Sequence, residues 1–475
     1  MISRVLSEEQ VEKIHRASLA VLERVGVAVP HPEVLGRFHD SGAAVDEKTQ
    51  RVKIPPDLVM RLLKQAGKEF TIYGRDLSRK AGFGKGTRNY NASGGQASWV
   101  EEPGRERRYA TLTDVATAAR FCDGLERINI AGAMADPHEI PVHYRCVEVA
   151  AAMLENTTKP LTFWFYDRPS ARHIVEMLIL LRGSAEKAAE FPLCYPFLEP
   201  ISPLSFPFHG IDLIFETARL NLPVPVGPMA QTGLSAPGTL AATMVQENAE
   251  ILAGICITQL IRPGLPVCYG GICHVFDMAT TQMVFGGPEQ AIFGVGMTQL
   301  GKHYGLPVYI NVGLTDAKSV DAQAGLEAGV TLALGAAAGA DIFGHLGICG
   351  VDQGASLDLL VFQAEMISYV EHLLRDIDFS DEALGIDEIE TVGPGGIYID
   401  REFTAGRFRK ELWFPKLLDR RYYQAWLESG ARGAAENCRR RKEEILRSHA
   451  PEPLAPELKL GLAEIVAAAK KDLTG

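Results

Sequence analysis

Eight short apolar runs alternate with eight segments of helical length between residues 88 and 375, and this rhythm restricts the possible folds more than any other feature. A short apolar run bounded by turn residues is typical of a buried strand. Pro is tolerated at the start of a run, because the first residue of a strand need not donate a backbone N–H to the neighbouring strand. The runs begin with NYNASG, INIAGAM, PLTFWFYD, PLCYPFLE, PVPVGPMA, PVCYGGI, PVYINVG and DIFGHLG.

Eight strand–helix pairs in about 290 residues are the count and size of a TIM (β/α)8 barrel. The alternative is a doubly wound sheet, which needs a glycine-rich phosphate fingerprint after its first strand. The segment GFGKG at residues 82–86 has the wrong spacing and opens no convincing helix. We therefore predict an α/β fold with the barrel at residues 88–375. An N-terminal α-rich extension with small strands covers residues 1–87, and a C-terminal helical extension packed on the barrel covers residues 376–475.

Composition excludes several classes of partner and places the chain in the cytoplasm. Acidic residues outnumber basic ones by 59 to 48, and a net charge of -11 argues against nucleic acid or an anionic membrane as the main partner. Eight scattered Cys predict reduced thiols. The first residues lack a signal-peptide pattern. We expect no membrane span. The uncharged apolar run that comes nearest to one, residues 329–340, is short and rich in Ala and Gly.

Barrel enzymes carry their sites where the strands end, and these windows are unusually aromatic in this chain. Aromatic faces beside carboxylates suit a quaternary ammonium ion. The alternative is that the rings simply fill the barrel core. The candidates after strands three, four and six are Trp164, Tyr166, Tyr195, Phe197, Glu199, Tyr269 and Phe276.

Strands seven and eight add polar candidates. The seventh gives Tyr309 and Asn311, then a loop with Asp316 and Lys318. Asp316 could hold Lys318, one of the two could face a ligand, or the pair could tie the loop to a helix start. His345 falls where the eighth strand ends, as a site residue or as a hydrogen-bonded core residue. CYGGICH at residues 268–274 is a weak zinc pattern, so we predict no metal site.

Several longer segments resemble one protein family, both in their amino-acid sequence and in their order along the chain. They are LSEEQVEKIHRASLAVLERVGV, IPPDLVMRLLKQAGKEFTIYGRD, APGTLAATMVQENAEILAGICITQL, GLTDAKSVDAQAG, VGPGGIYI and ELWFPKLLDRRYYQAW. The chain resembles the trimethylamine:corrinoid methyltransferase (MttB) family over essentially its whole length. The resemblance implies a TIM barrel that moves a methyl group from a methylated amine to the Co(I) form of a cobalamin-type corrinoid. That corrinoid is carried by a separate small protein, the expected partner.

Founding members of that family carry pyrrolysine, whereas every residue here is one of the standard twenty. The chain therefore resembles the non-pyrrolysine branch, whose members demethylate quaternary amines such as glycine betaine. A quaternary nitrogen leaves as a neutral amine, so transfer needs positioning and charge complementation rather than a general acid. We expect Asp316 and His345 to be catalytic, Asp316 by shaping the cation pocket while Lys318 holds Asp316 or the loop.

The expected substrate is a small methylated amine, and we also expect a homo-oligomer. A betaine carboxylate would need donors, for which the candidates are Gln231, Asn311, Lys318, His345 and backbone amides. Two other functions stay open. One is a barrel lyase or aldolase that uses Lys318, and the other is a non-catalytic protein that binds a methylated amine.

Overall fold

A computed structural model describes residues 2–102 and 104–474 and contains a closed barrel of eight parallel strands. The barrel strands are β1 Asn89–Ala92, β2 Ala131–Gly132, β3 Leu161–Thr162, β4 (residues 194–198), β5 Val224–Val226, β6 Val267–Gly271, β7 Val308–Ile310 and β8 Ile342–Leu346. Strands β5, β6, β7, β8 and β1 form one continuous parallel sheet. Single bridges join β1 to β2, β3 to β4 and β4 to β5, and β2 pairs with β3. The barrel predicted from the sequence is confirmed.

A helix follows every barrel strand. These helices are α1 Leu112–Gly124, α2 Val142–Asn156, α3 Arg168–Arg182, α4 Phe208–Thr217, α5 Leu240–Ile261, α6 Pro288–His303, α7 Ala322–Ala338 and α8 Leu357–Leu373. Side-chain N-caps start four of them, at Asp167, Thr239, Asp321 and Ser356. Each cap satisfies a backbone N–H that the first helical turn leaves without a partner.

Helix α5 is long and apolar enough to cross a membrane by length and composition, which the sequence analysis overlooked. Its most apolar window is 72% buried inside the protein. It packs against the barrel and against the N-terminal helices. Its hydrophobicity on all sides is thus that of a core helix.

The N-terminal part closes the lower end of the barrel. This end lies opposite the C-terminal ends of the strands. The helix Glu8–Arg24 starts with the predicted capping box of Ser7 and Gln10. Two further helices and a small antiparallel sheet follow, Pro32–Asp40 and Pro56–Gln65, with Val27–Ala28, Ala44–Asp46 and Arg51–Lys53. The hairpin of Phe70–Tyr73 and Lys80–Phe83 enters the barrel from below.

The C-terminal helices fall into two groups. Ala434–Ser448 and Pro456–Leu473 pack on barrel helices, with Lys442 bonded to Asp358 at 2.8 Å. The other group buries no residue, and consists of Asp381–Leu384, Ile386–Val392, Glu402–Glu411 and Tyr423–Glu428. Two short helices lie elsewhere, Ala185–Glu190 and the 3-10 helix Ala218–Leu220.

The barrel interior is a small hydrophobic cluster separate from the helix layer. Phe70 and Phe83 of the hairpin stack at 4.3 Å between ring centroids and form its base. Tyr195, Ile130 and Tyr309 lie in the same cluster. A side chain added at Gly344 on β8 would overlap the hydroxyl of Tyr309. The Gly is therefore needed to make room for the tyrosine ring.

Gly344→Ala should lower the free energy of unfolding by about 1–3 kcal/mol, because a buried ring must move to admit one carbon atom. Gly329→Ala is the matched control, since its added carbon meets nothing within 4 Å on the surface of α7. That change should stabilise the helix by about 0.5–1 kcal/mol. Urea unfolding of both variants checks the pair, and equal effects would contradict the packing argument.

Candidate functional site

Two small sheets flank the ends of the barrel strands. One joins Gln231–Thr232 to the hairpin of His274–Asp277 and Gln282–Val284, in the loops after β5 and β6. The other contains Ser98–Trp99, Arg108–Tyr109, Ile348–Cys349 and Gly354–Ala355, in the loops after β1 and β8. We call the opening between these sheets the mouth. The two sheets hold the loops around it in fixed positions.

Four rings form the floor of the mouth. Tyr309 meets Phe197 edge-on at 5.3 Å between centroids and meets His345 at 6.0 Å. His345 in turn stacks on Trp164 at 5.8 Å with an interplanar angle of 24°. The Trp164 indole N–H donates to the Gly95 carbonyl at 3.1 Å, which fixes its orientation. Trp164 and Phe197 are half-buried, so these two predicted residues present ring surface to the opening.

His345 lies at the floor in a strained backbone conformation. Its φ of 63° is in the left-handed region that residues other than glycine seldom adopt. Met134, Val351 and Asp352, in the loops after β2 and β8, share that feature. Such strain concentrates at functional sites, where the surrounding structure over-determines it. Burial lowers the pKa of His345 to about 4, so the imidazole is neutral at pH 7.

A second neutral histidine positions Asn311. His274 Nδ1 lies 3.1 Å from the Val284 carbonyl, to which it must donate, and this leaves Nε2 as an acceptor. The Asn311 amide then donates to Nε2 at 3.4 Å. Burial lowers the pKa of His274 to about 4. The arrangement orients Asn311 without placing a charge beside it.

Several polar atoms at the floor have no partner among the described residues. They are Asn91 Oδ1, Asn311 Oδ1 and His345 Nδ1. Buried polar atoms are nearly always hydrogen-bonded, and each exception calls for a missing water, ligand or function. Three such atoms at the top of one barrel indicate a place built for a polar molecule.

Two carboxyl groups in the loops after β4 and β8, those of Glu199 and Asp352, have raised pKa values. Glu199 is solvent-exposed, but the protein closely surrounding it raises its pKa to about 7, and the nearby Asp352 carboxylate adds to the rise. Burial also raises the pKa of Asp352 to about 6. Gln96 Nε2 donates to Asp352 at 2.9 Å and holds it in place. No described cation neutralises this pair within 4 Å.

Asp316 and Lys318 lie in a connection between two loops of the mouth. Both Asp316 oxygens accept backbone N–H groups, from Phe285 at 2.9 Å and from Gly286 at 3.0 Å. Lys318 is exposed and donates to the Asp316 backbone carbonyl at 2.7 Å rather than to its carboxylate. Asp316 therefore ties the loop after β7 to the loop after β6.

Tyr269 is also placed differently from the prediction. Its side chain leaves the outer face of β6, and its hydroxyl donates to Asn248 Oδ1 of α5 at 2.8 Å. Cys268 and Ile272 fill the interior instead. Since β6 is buried on both faces, its apolar run held no sign of which parity points inward. Tyr269 is thus a core residue of the helix layer.

The remaining predicted residues are divided between the floor and the rim. Tyr195 is fully buried in the barrel interior, below the floor rings. The Tyr166 hydroxyl donates to Asp136 at 2.6 Å, and Asp136 pairs with Arg145. Gln231 and Phe276 are half-buried in the small sheet of the loops after β5 and β6.

Sequence reasoning missed three residues that shape the mouth. Asp352 and Gln96 lie in irregular loops, where no periodic pattern marks them. Glu247 of α5 is fully buried and accepts the backbone N–H groups of Ala230 and Ile272. The sequence did contain a sign of this role, because two Glu residues lie three positions apart in an otherwise apolar helix. A buried carboxylate needs hydrogen-bond donors. Glu247 holds the loops after β5 and β6 together.

A metal centre finds no support within residues 2–102 and 104–474. No group of three or more His, Cys, Asp or Glu side chains there is arranged to hold an ion. Cys268, Cys273 and His274 of the weak zinc pattern are separated by strand geometry, since Cys268 faces the interior below the floor.

Comparison with known proteins gives one consistent family. A family model described as trimethylamine methyltransferase (MTTB) matches residues 2–474. Trimethylamine methyltransferase MttB of Desulfitobacterium hafniense (strain DSM 10664 / DCB-2) is 30% identical over 462 residues, covering 97% of this chain and 92% of that protein. Glycine betaine methyltransferase of Desulfitobacterium hafniense (strain Y51) is 29% identical over 471 residues, covering 99% and 98%.

Solved structures support the same fold. The monomethylamine methyltransferase (MtmB) of Methanosarcina barkeri aligns with a TM-score of 0.53 and 11% identity, over 99% of this chain and 88% of that one. A hydroxylamine complex of MtmB aligns with a TM-score of 0.55 and 10% identity over the same shares. Likeness at this identity establishes the architecture alone.

Asp316→Asn should lower the free energy of unfolding by about 1–3 kcal/mol, since two charge-assisted backbone hydrogen bonds are weakened. Lys318→Ala should change it by less than about 0.5 kcal/mol, because the lysine is exposed and bonds only its own loop. Urea unfolding measures both. Equal losses would show that the lysine carries part of the loop connection.

Proposed function

The chain belongs to the trimethylamine methyltransferase (MttB) family and is a methyltransferase, and on that premise we propose its substrates. The methyl donor is a small quaternary amine, glycine betaine or a related betaine. The acceptor is the Co(I) form of a corrinoid held by a separate protein. Support for a quaternary donor comes from the relative named glycine betaine methyltransferase and from a sequence composed only of the twenty standard residues.

The observation that carries the proposal is the carboxyl pair of Glu199 and Asp352 beside the rings of Trp164 and Phe197. Glu199 and Asp352 both have raised pKa values, and charge repulsion from Asp352 adds to the rise at Glu199. A quaternary ammonium between them would remove that repulsion. Such a cation has no N–H to donate, so ring faces and carboxylates are the groups that can hold it.

The chemistry of the neighbouring residues agrees with methyl transfer from a group that is already positive. His345 and His274 are neutral at pH 7, so neither adds positive charge next to the cation. A neutral amine leaves, and therefore no side chain has to donate a proton. The task of the chain is to desolvate the cation and to aim one methyl group out of the mouth.

A betaine also carries a carboxylate, and Arg107 is the best-placed partner for it. Arg107 lies against Gly350, two residues before Asp352, and against Cys349 Sγ at 3.9 Å. No carboxylate lies within 4 Å of its guanidinium among the described residues. Asn311 is a second candidate, with Gln231, Lys318 and His345 further ones. Arg107 and the carboxyl pair would thus bind opposite ends of one zwitterion.

The rim of the mouth fits a protein that brings the methyl acceptor. Ile201, Leu234 and Met278, on the loops after β4, β5 and β6, are apolar and exposed. Met278 lies close to Gly233, the residue before Leu234, since its methyl group is 3.0 Å from the position of a Cβ added at Gly233. When docked there, the reduced corrinoid supplies the nucleophile for the methyl group. Residues of this chain only present the donor to it.

We place the reaction in the cytoplasm. All eight Cys are free and buried, which suits a reducing compartment. The lyase or aldolase alternative has no support around Lys318, which is exposed and bonds a backbone carbonyl. The non-catalytic alternative is disfavoured by the family, and the carboxyl pair does not favour it, since the pair would bind an amine in either case.

The test mixes the protein with a reduced corrinoid protein and with glycine betaine, carnitine, choline or prolyl betaine in turn. Methyl-corrinoid formation, followed by its absorption spectrum, is expected with one or more of them. Binding of a betaine without any spectral change would establish the non-catalytic alternative. Activity only with trimethylamine would overturn the quaternary donor.

Glu199→Gln and Asp352→Asn should each raise KM for the amine roughly tenfold, corresponding to about 1.4 kcal/mol of cation binding. Glu464→Gln, on the exposed face of the last helix, is the matched control and should leave KM unchanged. In the wild type, KM should fall as pH rises from 6 to 8, because Glu199 with a pKa of about 7 becomes ionised. A pH-independent KM would contradict the role of Glu199.

A further inference from the structure

Residues 376–410, here called the arm, form a helical projection that buries nothing. No residue from 375 to 416 is buried. Ion pairs of Arg401 with Glu388 and of Arg407 with Glu382 join its helices. All its described side-chain hydrogen bonds have both partners inside the arm. The arm is therefore internally folded but does not lie against its own barrel.

The surface of the arm is strongly apolar for something exposed to water. Ile399 is 85% exposed and Ile397 is 64% exposed. Monomeric proteins rarely display a contiguous apolar patch of more than a few hundred Å². The exposed large apolar side chains of the arm are Ile377, Phe379, Leu384, Ile386, Ile389, Ile397, Tyr398, Ile399 and Phe408. The arm needs a cover that its own chain does not provide.

A complementary surface lies on the outside of the barrel. On α7, Leu326, Val330 and Leu334 are exposed at intervals of four residues and so form one stripe. A cleft of about 440 Å³ between α7 and α8 lies on one side of the stripe, and a cleft of about 760 Å³ beside α6 on the other. We call this surface the α7 face. It is a long apolar surface with no described occupant.

Charge extends the match between the two surfaces. The first part of the arm, residues 376–390, carries seven Asp or Glu and no Lys or Arg. The cleft between α7 and α8 reaches Leu418, which also borders an arginine-rich cleft. That cleft is lined by Lys416, Arg420, Arg421, Arg440, Arg441 and Arg447, with Asp419, Glu443 and Glu444 among them. An apolar, acidic arm therefore matches an apolar face with a basic end.

We propose that the arm of one copy packs on the α7 face and adjoining basic cleft of a second copy of this chain. Two copies can exchange arms in this way around a two-fold axis, so that each apolar surface is covered. The position of the arm favours this over docking of the methyl acceptor. It leaves from the end of α8, where Arg375 bonds Glu411 at 2.8 Å, and that end lies opposite the mouth.

Light scattering after gel filtration tests the interface. The wild type should be a dimer or a multiple of it, and Ile386→Glu with Ile389→Glu, or Val330→Glu alone, should give folded monomers. Leu460→Glu is the control, as Leu460 is 63% exposed on the last helix and should leave the assembly intact. Circular dichroism checks folding. A monomeric wild type, or variants that stay assembled, would overturn the proposal.

Photo-crosslinking identifies which copy the arm touches. Benzoylphenylalanine replaces Ile389 in chains labelled with nitrogen-15, which are mixed with unlabelled chains before irradiation. Crosslinks from the labelled arm to unlabelled peptides of residues 286–335 are expected. Crosslinks found only within one copy would overturn the exchange. Loss of binding to a corrinoid protein in the arm variants, with assembly unchanged, would assign the arm to that partner instead.

Discussion

The volume inside a closed eight-stranded barrel is fixed, and everything at the mouth depends on how side chains fill it from below. The Phe70–Phe83 hairpin closes the lower end, and Tyr309 occupies the middle in space left by Gly344. Tyr309 then supports Phe197 and His345, and accepts a hydrogen bond from Asn91 at 3.2 Å. The floor is thus rigid, and only the upper end remains open to a ligand.

The loops around that floor are held by buried carboxylates, while two other carboxylates are left available. The carboxylate oxygens of Glu247 and Asp316 accept hydrogen bonds from backbone N–H groups, and these bonds connect neighbouring loops. Glu199 and Asp352 keep raised pKa values because protein surrounds them without a compensating cation. Charge repulsion from Asp352 adds to the raised pKa of Glu199, and a cation bound beside them would offset it. Holding a cation is a task that this arrangement can perform.

The sequence predicted the barrel well because Pro-initiated apolar runs and capped helices are local signals. It also indicated Trp164, Phe197 and Glu199 as candidates. The ends of their strands could be located in the sequence, and alternate residues of a strand point to the same side. It failed for Tyr269, since a strand buried on both faces does not reveal which side points inward. The connection that Asp316 makes between two loops was not predicted, because its partners come from another loop. Asp352 was missed because an irregular loop shows no periodic pattern. The exposure of the arm could not be predicted from its sequence, because its helical pattern resembles that of a helix packed on a core.

Proton release on amine binding tests the central claim, that Glu199 and Asp352 hold the ammonium. Calorimetric titration of the protein with glycine betaine, the proposed methyl donor, at pH 6.5 in two buffers of different ionisation enthalpy measures the protons exchanged. With free-site pKa values of about 7 and about 6, both groups are partly protonated there, and binding should release protons. Glu199→Gln should reduce the release. Tight binding with no proton exchange would show that the cation sits elsewhere.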